Sequence, residues 1–323
     1  MNESLKDEGA EREAAWLSVL LRAAPRFLLE GHAGLDAGQL ERRARCFVRE
    51  QLARCTDLDF GRRFHAACPV AGADARDYLQ CVVPVGASEA ALIGLRFFGG
   101  DVRQPFVDVI AVTAPWRRVA TELCEAACAA YARFAPRRLR VFEADVLRLQ
   151  PEDVVDQFFH AGWADEVAAS GPSTPACALE VCTESDVDEV SALVEAGYAD
   201  LAAYAPELVS RVHAAQLDAL ADCVETGVLA FITASGERVG VLGTAKDAER
   251  LFEGQAVIEE VLLRRHQGRG LAVAAQRLLA REVAARFGPA LIWGTIDASN
   301  HASRRTAERA GRAARAAWVF VSL

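Results

Sequence analysis

Residues Ala256–Phe287 read AVIEEVLLRRHQGRGLAVAAQRLLAREVAARF, and three kinds of local structure follow one another within them. Ala256–Leu263 is a run of apolar and β-branched residues interrupted by Glu259 and Glu260, the pattern of a strand. Leu271–Phe287 places apolar residues at helical spacing and stops at Gly288–Pro289. Between them lies Arg265-His266-Gln267-Gly268-Arg269-Gly270. A glycine-rich turn leading from a strand into a helix is an anion cradle on physical grounds. The first helical turn has backbone N–H groups without partners inside the helix, and the helix dipole adds partial positive charge there. Glycines let the chain approach a pyrophosphate with no Cβ in the way, and Arg265 and Arg269 add positive charge. The turn has no Gly-Lys-Ser/Thr ending, which excludes a nucleoside-triphosphate loop. It lacks GxGxxG spacing, which argues against a dinucleotide fold.

Working outward, Ala178–Thr183 alternates as a short strand. Val187–Leu201 reads as a helix opened by Ser185 and Asp186, and a second helix spans Leu208–Glu225. Val228–Thr233 and Val239–Thr244 are strands around the hairpin signal Ser235–Gly236. After the helix at 271–287 come a strand at Leu291–Ile296, a helix at Ser303–Ala310 and a last strand at Trp318–Leu323. The first half gives a blurred version of the same series. Residues 11–30 and 38–54 look helical, and Tyr78–Val85, Ala91–Phe98 and Val107–Val112 look like strands. Trp116–Phe134 reads as a helix, Leu139–Phe142 as a strand and Glu152–Ala161 as a helix. Ala168–Pro175, rich in Ser, Pro and Gly, reads as the linker. The expected domains are residues 1–167 and 176–323, one plan written twice.

The order strand, Arg-x-x-Gly-x-Gly, helix, strand, then Asn300-x-x-Ser303 and Gly311, resembles the GNAT superfamily of acyl-CoA N-acyltransferases. The family's Gln/Arg-x-x-Gly-x-Gly/Ala signature is met at Arg265, Gly268 and Gly270. Its later segment is met at Asn300, Ser303 and Gly311. The resemblance covers residues 177–323. It implies an α/β fold of the mixed-sheet α+β kind, in two lobes, each a mostly antiparallel, splayed sheet flanked by helices. In the first half the equivalent turn is Ala114-Pro115-Trp116-Arg117-Arg118-Val119-Ala120, with Arg118 where the first loop glycine would stand. That lobe is expected to be a degenerate copy that binds no CoA and serves as scaffold or shapes the acceptor cleft.

The resemblance further implies acetyl-CoA or another acyl-CoA as co-substrate. Leu262, Leu263 and Arg265, the loop from Gln267 through Gly268, Arg269, Gly270 and Leu271 to Ala272, and Asn300 and Ser303 would hold it. The pantetheine arm would lie in the splay between the strands at 256–263 and 291–296. For the catalytic base, Glu260 and Glu259 are candidates. Neighbouring strand residues point to opposite faces, so only one can face the cleft, and Glu260 is preferred. Many relatives carry a tyrosine acid seven residues after the Asn; here that residue is Ala307. Ser303, Thr306, His301 or water can substitute, or the thiolate leaves unaided, since a thiol pKa of about 8.5 makes it a fair leaving group. The acceptor site would be built by the helices at 187–225, with Tyr198, Tyr204 and His213, beside Asp200 and Glu207, as candidate contacts.

Composition agrees. The chain has 323 residues, about twice a typical domain, with 52% hydrophobic and 25% charged residues. Such values exclude a disordered tail, a collagen and a coiled coil. No apolar run reaches the roughly 18 residues of a membrane span. The start, MNESLKDEGAERE, is not that of a signal peptide. Nine cysteines without a CxxC pair argue against a zinc ribbon and fit a reducing cytoplasm. His32, His65 and His160 lack partners at ligand spacing, so no metal is expected. The net charge of −9 is uneven: residues 167–245 carry −10 and residues 246–323 carry +5. The basic stretch holds the loop and suits anionic CoA; the acidic stretch would draw a cationic amine. The leading expectation is therefore N-acylation, with acetyl as the expected acyl group, of a small amine, with no membrane and no nucleic acid involved. One alternative is aminoacyl transfer from a charged tRNA, for which Arg42, Arg43, Arg45, Arg49 and Arg54 would supply a basic face. Another is a catalytically weak acyl-CoA-binding module.

Overall fold

The computed structural model describes residues 3–32, 37–170 and 177–323. In chain order the elements are α1 (Glu3–Arg22), α2 (Arg26–Glu30), α3 (Ala37–Ala53), α4 (Leu58–Ala67), β1 (Cys81–Pro84), β2 (Ala90–Phe97), β3 (Pro105–Val112), α5 (Ala120–Ala130) and β4 (Arg138–Glu143). Then follow β5 (Val154–Trp163), α6 (Ala164–Ala169), β6 (Cys177–Val181), α7 (Val187–Tyr204), α8 (Pro206–Val209), α9 (Leu217–Thr226), β7 (Val228–Ala234), β8 (Glu237–Glu249) and β9 (Phe252–Leu262). Last come α10 (Leu271–Phe287), β10 (Leu291–Asp297), α11 (His301–Ala310) and β11 (Ala313–Ser322). The fold is mixed α/β, with mostly antiparallel sheets flanked by helices, as expected.

The chain forms two compact units: residues 1–30, 37–156 and 316–323, and residues 31–36 and 157–315. These limits differ from the expected domains, 1–167 and 176–323. Within the first unit the strand order is β1-β2-β3-β4-β11, so the end of the chain completes the sheet begun near its start. Within the second it is β5-β10-β9-β8-β7-β6, and a strand preceding the expected linker completes it. Each sheet has one parallel pair joined through a helix, β3 with β4 and β9 with β10. A closing antiparallel strand follows in each, β11 on β4 and β5 on β10. The two halves therefore do share a plan. Of the linker, Ala168 and Ala169 end α6, and residues 171–175 lie outside the described residues.

Two other expectations need correction, and one helix was not expected. Glu152–Ala161, expected as a helix, is largely the strand β5, and its residues Gln157–Trp163 pair rung by rung with Asp297–Leu291. Phe159, Ala161 and Trp163 are buried and so is His160, on the opposite face. Burial on both faces erases the alternation that marks a strand. The expected helix 208–225 is two helices, α8 and α9, separated by an irregular stretch at 210–216. The segment Leu58–Ala67, unassigned from sequence, is helix α4, capped by Asp57, which accepts from the Asp59 and Phe60 N–H groups.

In the second unit the sheet is covered on both faces. Leu271, Ala275, Leu279 and Val283 of α10 pack with Val228, Ile232, Val239 and Leu242 on one face. Val190 and Val194 of α7 and Leu220 and Cys223 of α9 pack with Leu229, Phe231 and Val241 on the other. The parallel pair is short: Gln255 faces Ile292, Ala256 faces Trp293, and the register goes no further. Beyond that point β9 and β10 diverge. The approach at the closed end needs a glycine, because a Cβ on Gly254 would lie 2.3 Å from the Leu291 carbonyl oxygen. Gly254→Ala is expected to destabilise the second unit by about 2 kcal/mol, within the range for forced overpacking. A melting temperature unchanged within a degree would show that β9 and β10 do not depend on this contact.

Candidate active site

The loop between β9 and α10 has the backbone its sequence requires. Gly268 and Gly270 both have φ of +76°, a left-handed conformation that side chains disfavour by roughly 1–2 kcal/mol. A Cβ at either would meet nothing within 4 Å, so both face open space. Gly270 caps α10 without a side chain, leaving the first-turn N–H groups of Leu271 and Ala272 to an outside acceptor. Arg265 and Arg269 are exposed beside them. The Gln267 N–H already donates to the Arg264 carbonyl at 3.2 Å, so the open series of amides starts at Gly268. The Gln267 side chain braces the loop instead: Nε2 donates to the Leu262 carbonyl at 2.9 Å and Oε1 accepts from the Tyr204 hydroxyl at 3.3 Å. Leu262 and Leu263 are buried beneath the turn.

Glu259 and Glu260 are separated by the pleat. The pairing of β8 with β9 shifts between Gly243 and Thr244, which face Glu259 and Val257, so Ile258 is an extra residue, a bulge. Glu259, 3% exposed, points to the α7 and α9 face. Its carboxylate accepts from the Ala215 N–H at 2.9 Å and the Glu260 N–H at 2.9 Å, and it also interacts with the Tyr198 hydroxyl. Burial pushes its pKa above the ordinary carboxylate value, against the pull of those donors. Glu260 points to the α10 face, where Gln276 Nε2 donates to both its oxygens, at 2.9 and 2.7 Å. Burial raises its pKa as well, against Arg312 and Gln276.

The stretch from Ala205 to Gln216 straps the α7 side. Arg211 Nε donates to Asp297 Oδ2 at 2.7 Å, tying the strap to the end of β10, while Ala215 ties it to Glu259 on β9. The candidate acceptor residues divide accordingly. The Tyr198 hydroxyl donates to the His213 carbonyl at 3.0 Å, beside Glu259. The His213 side chain is exposed, as is Glu207. Tyr204 instead stacks under the Arg264 guanidinium at 3.8 Å and bonds Gln267, and Asp200 accepts from the Arg264 N–H at 3.0 Å. Those two belong to the loop. The sequence reading missed Arg211, Asp297, Gln276 and Arg312. Only Gln276 left a trace, as a polar residue on the buried face of α10.

On the β10 side, Asn300 caps α11: its Oδ1 accepts from the Ser303 N–H at 3.1 Å, leaving the amide NH2 as a donor. Ser303 lies partly buried in the first turn of α11, and Ala307 is fully buried. In the corresponding turn of the first unit the two arginines are paired with carboxylates. Arg118 pairs with Glu89 at 2.7 Å, Arg117 with Asp153, and none of the residues 114–120 has left-handed backbone. Its parallel pair carries a bidentate bridge, Arg140 to Asp108, at 2.7 and 2.9 Å. Of the arginines proposed as a basic face, Arg45 and Arg49 pair with Glu13, and Arg54 with Glu50. Among the described residues no cluster of His, Cys, Asp or Glu is placed to hold a metal, and no helix is long and apolar enough to cross a membrane.

Comparison with known proteins bears on this geometry. Curated proteins give no match. Among solved structures, a GCN5-related N-acetyltransferase from Sphaerobacter thermophilus is 18% identical, covering 95% of this chain and 91% of that one, with a TM-score of 0.49. One from Kribbella flavida is 16% identical, covering 75% and 89%, at 0.43. A tandem GNAT protein from the clavulanic acid biosynthesis pathway is 15% identical, covering 85% and 95%, at 0.42. The assignment rests on the family model described as acetyltransferase (GNAT) domain, which matches residues 179–312, from β6 to the turn after α11. That segment contains the loop, the bulge and the diverging strands, and the chain thus carries a GNAT acetyltransferase domain in its C-terminal part.

Proposed function

We propose that the second unit is an acyl-CoA-dependent N-acyltransferase for a small, cationic amine. The observation that carries the reading is the alignment of three features on β9: the open left-handed loop at its end, its divergence from β10, and the buried Glu259 beside its bulge. The pyrophosphate of the donor would sit on the amides of Gly268 to Ala272, with Arg265 and Arg269 nearby. The pantetheine arm would run between β9 and β10 and use the Asn300 amide. The thioester carbonyl would meet a backbone N–H at the Ile258 bulge, a donor fixed in place before charge develops.

Glu259 is the base in this reading. It faces the strap and α7, where an amine would arrive, whereas Glu260 is committed to Gln276. An ammonium acceptor must lose a proton before its nitrogen lone pair can attack. Glu259 takes that proton, directly or through one water. The C–N bond forms at the thioester carbon, the C–S bond breaks, and its electron pair leaves on sulfur. The nitrogen then gives up its second proton, and the thiolate takes one or leaves as it is. The buried Ala307 supplies no acid, so departure relies on the thiol's own acidity, on Ser303 or on water. The net charge of −10 over residues 167–245 supports a cationic acceptor. The pairing of Arg45 and Arg49 on α3 with Glu13 favours this reading over a tRNA substrate. The first unit would be scaffold.

Thiol release from acetyl-CoA with a panel of amines tests the reading directly. Glu259→Gln is expected to lower kcat by about 100-fold or more, in the usual range for a general base, with Glu260→Gln losing far less. Equal losses would remove Glu259 from the role. Gly268→Val is expected to weaken CoA binding at least tenfold by calorimetry; unchanged affinity would sink the loop assignment. Binding without turnover of any amine would identify a binding module instead.

The pH dependence has a fixed sign. A base must be ionised, so the acid limb of kcat/KM should lie above the ordinary glutamate value of about 4.3 and vanish in Glu259→Gln. A carboxyl with a raised folded-state pKa contributes stability below its unfolded pKa, and that contribution is lost as pH rises through the folded one. Glu259→Gln should therefore gain melting temperature relative to the parent as pH rises from 4 to 8. A difference that is flat or falls with pH would contradict the burial argument.

A further inference from the structure

Arg312 has no part in the chemistry above, yet it reaches the same cleft. It follows Gly311, the C-cap of α11, and is 2% exposed. Its Nε donates to Gln276 Oε1 at 3.1 Å, and Gln276 in turn holds Glu260. The amide of Gln276 thus stands between the two charges and fixes one edge of the guanidinium. The other edge is unmet: Nη1 has no hydrogen-bond partner. It lies 3.7 Å from the point where a side chain would begin on Gly294, and that point is 3.5 Å from Val257 Cβ. Gly294 is the first residue of β10 past the last rung shared with β9, and Val257 adjoins the bulged Ile258. Nη1 therefore lies beside the narrow end of the splay, where β9 and β10 begin to part. His160, paired with Gly294 across the ladder, is fully buried. Burial, with the Arg312 charge beside it, holds its pKa down to about 4, so it is neutral at pH 7 and offers no counter-charge. Glu308, 3.6 Å from His160 Nε2, is half exposed.

An unmet donor on a buried guanidinium is unfavourable, and a carboxylate is the group whose two oxygens match its planar fork. We propose that the acyl donor is a short dicarboxylic acyl-CoA whose free carboxylate is received by Arg312 Nη1 beside Gly294. The inference rests on the splay being the donor cleft. It gives Gly294 a use, since the absent side chain leaves space for about one carbon against the guanidinium. Arg312 is then a specificity residue. The far carboxylate keeps its charge throughout the transfer, and no bond to it is made or broken.

Calorimetric titration of the full chain with CoA, acetyl-CoA, malonyl-CoA and succinyl-CoA, without acceptor, tests this. Malonyl- or succinyl-CoA is expected to bind at least about tenfold more tightly than acetyl-CoA, a difference of about 1.4 kcal/mol. Arg312→Met should abolish that ratio. Should this variant not fold, the double variant Glu260→Gln/Arg312→Met removes both charges together. Gly294→Ala, whose new Cβ makes only ordinary contacts, should reduce the ratio several-fold. Acetyl-CoA binding as tightly as both dicarboxylic thioesters overturns the proposal and leaves the donor cleft standing. A preference that survives in Gly294→Ala and in the double variant overturns it too. Failure of every CoA species to bind overturns both.

Discussion

Strands β9 and β10 touch at Gln255–Ile292 and Ala256–Trp293 and then part. The rest of the second unit depends on that short contact. Closed further, the pair would be an ordinary parallel ladder with its backbone groups satisfied and no room between the strands. Opened earlier, it would lose the rungs that fix the direction of β10. Gly254 permits the close approach at one end, and the bulge at Ile258 turns β9 away at the other. The same strand then delivers the loop at its end to the N-terminus of α10. One element so sets the distance and direction between the glycine turn, the splay and a buried carboxylate.

The first unit shows how one ladder plan can be used otherwise. Its β3 and β4 also share two rungs, Val107–Leu139 and Asp108–Arg140. There the second rung is a partly buried ion pair, and Arg140 also lies over the rings of Phe106 and Trp318. Charges largely taken out of water must be paired closely; the matching rung of the second unit carries Ala256 and Trp293 instead. The turn before α5 is likewise held by Arg117 and Arg118 on Asp153 and Glu89 rather than left open.

Much of this was legible in the sequence where the signal is local. The glycine pair, the helix from Leu271 to Phe287 and its stop at Gly288 were read correctly, because left-handed turns and helix ends depend on a few adjacent residues. Apart from the break between α8 and α9, the order of elements in the second half was legible for the same reason. Strand β5 was not. Its residues are buried on both faces by partners far away in the chain, and its pattern resembles a helix as much as a strand. Nor were the unit limits. Residues 316–323 and 157–163 join sheets whose other strands lie elsewhere in sequence, and no composition shift marks such pairing.

Glu259 and Glu260 mark the boundary most clearly. The sequence by itself determined that two adjacent carboxylates stand on a strand before a glycine turn that opens a helix, and that the pleat sends them to opposite faces. It could not determine which face holds which partners. Only the tertiary structure put the strap, Tyr198 and Ala215 over Glu259, and Gln276 and Arg312 against Glu260. Local backbone preference follows from neighbouring residues and can be read from them. The surroundings that raise a carboxyl's pKa or commit it to a brace are assembled from helices up to about sixty residues away in sequence, and exist only once the chain has packed.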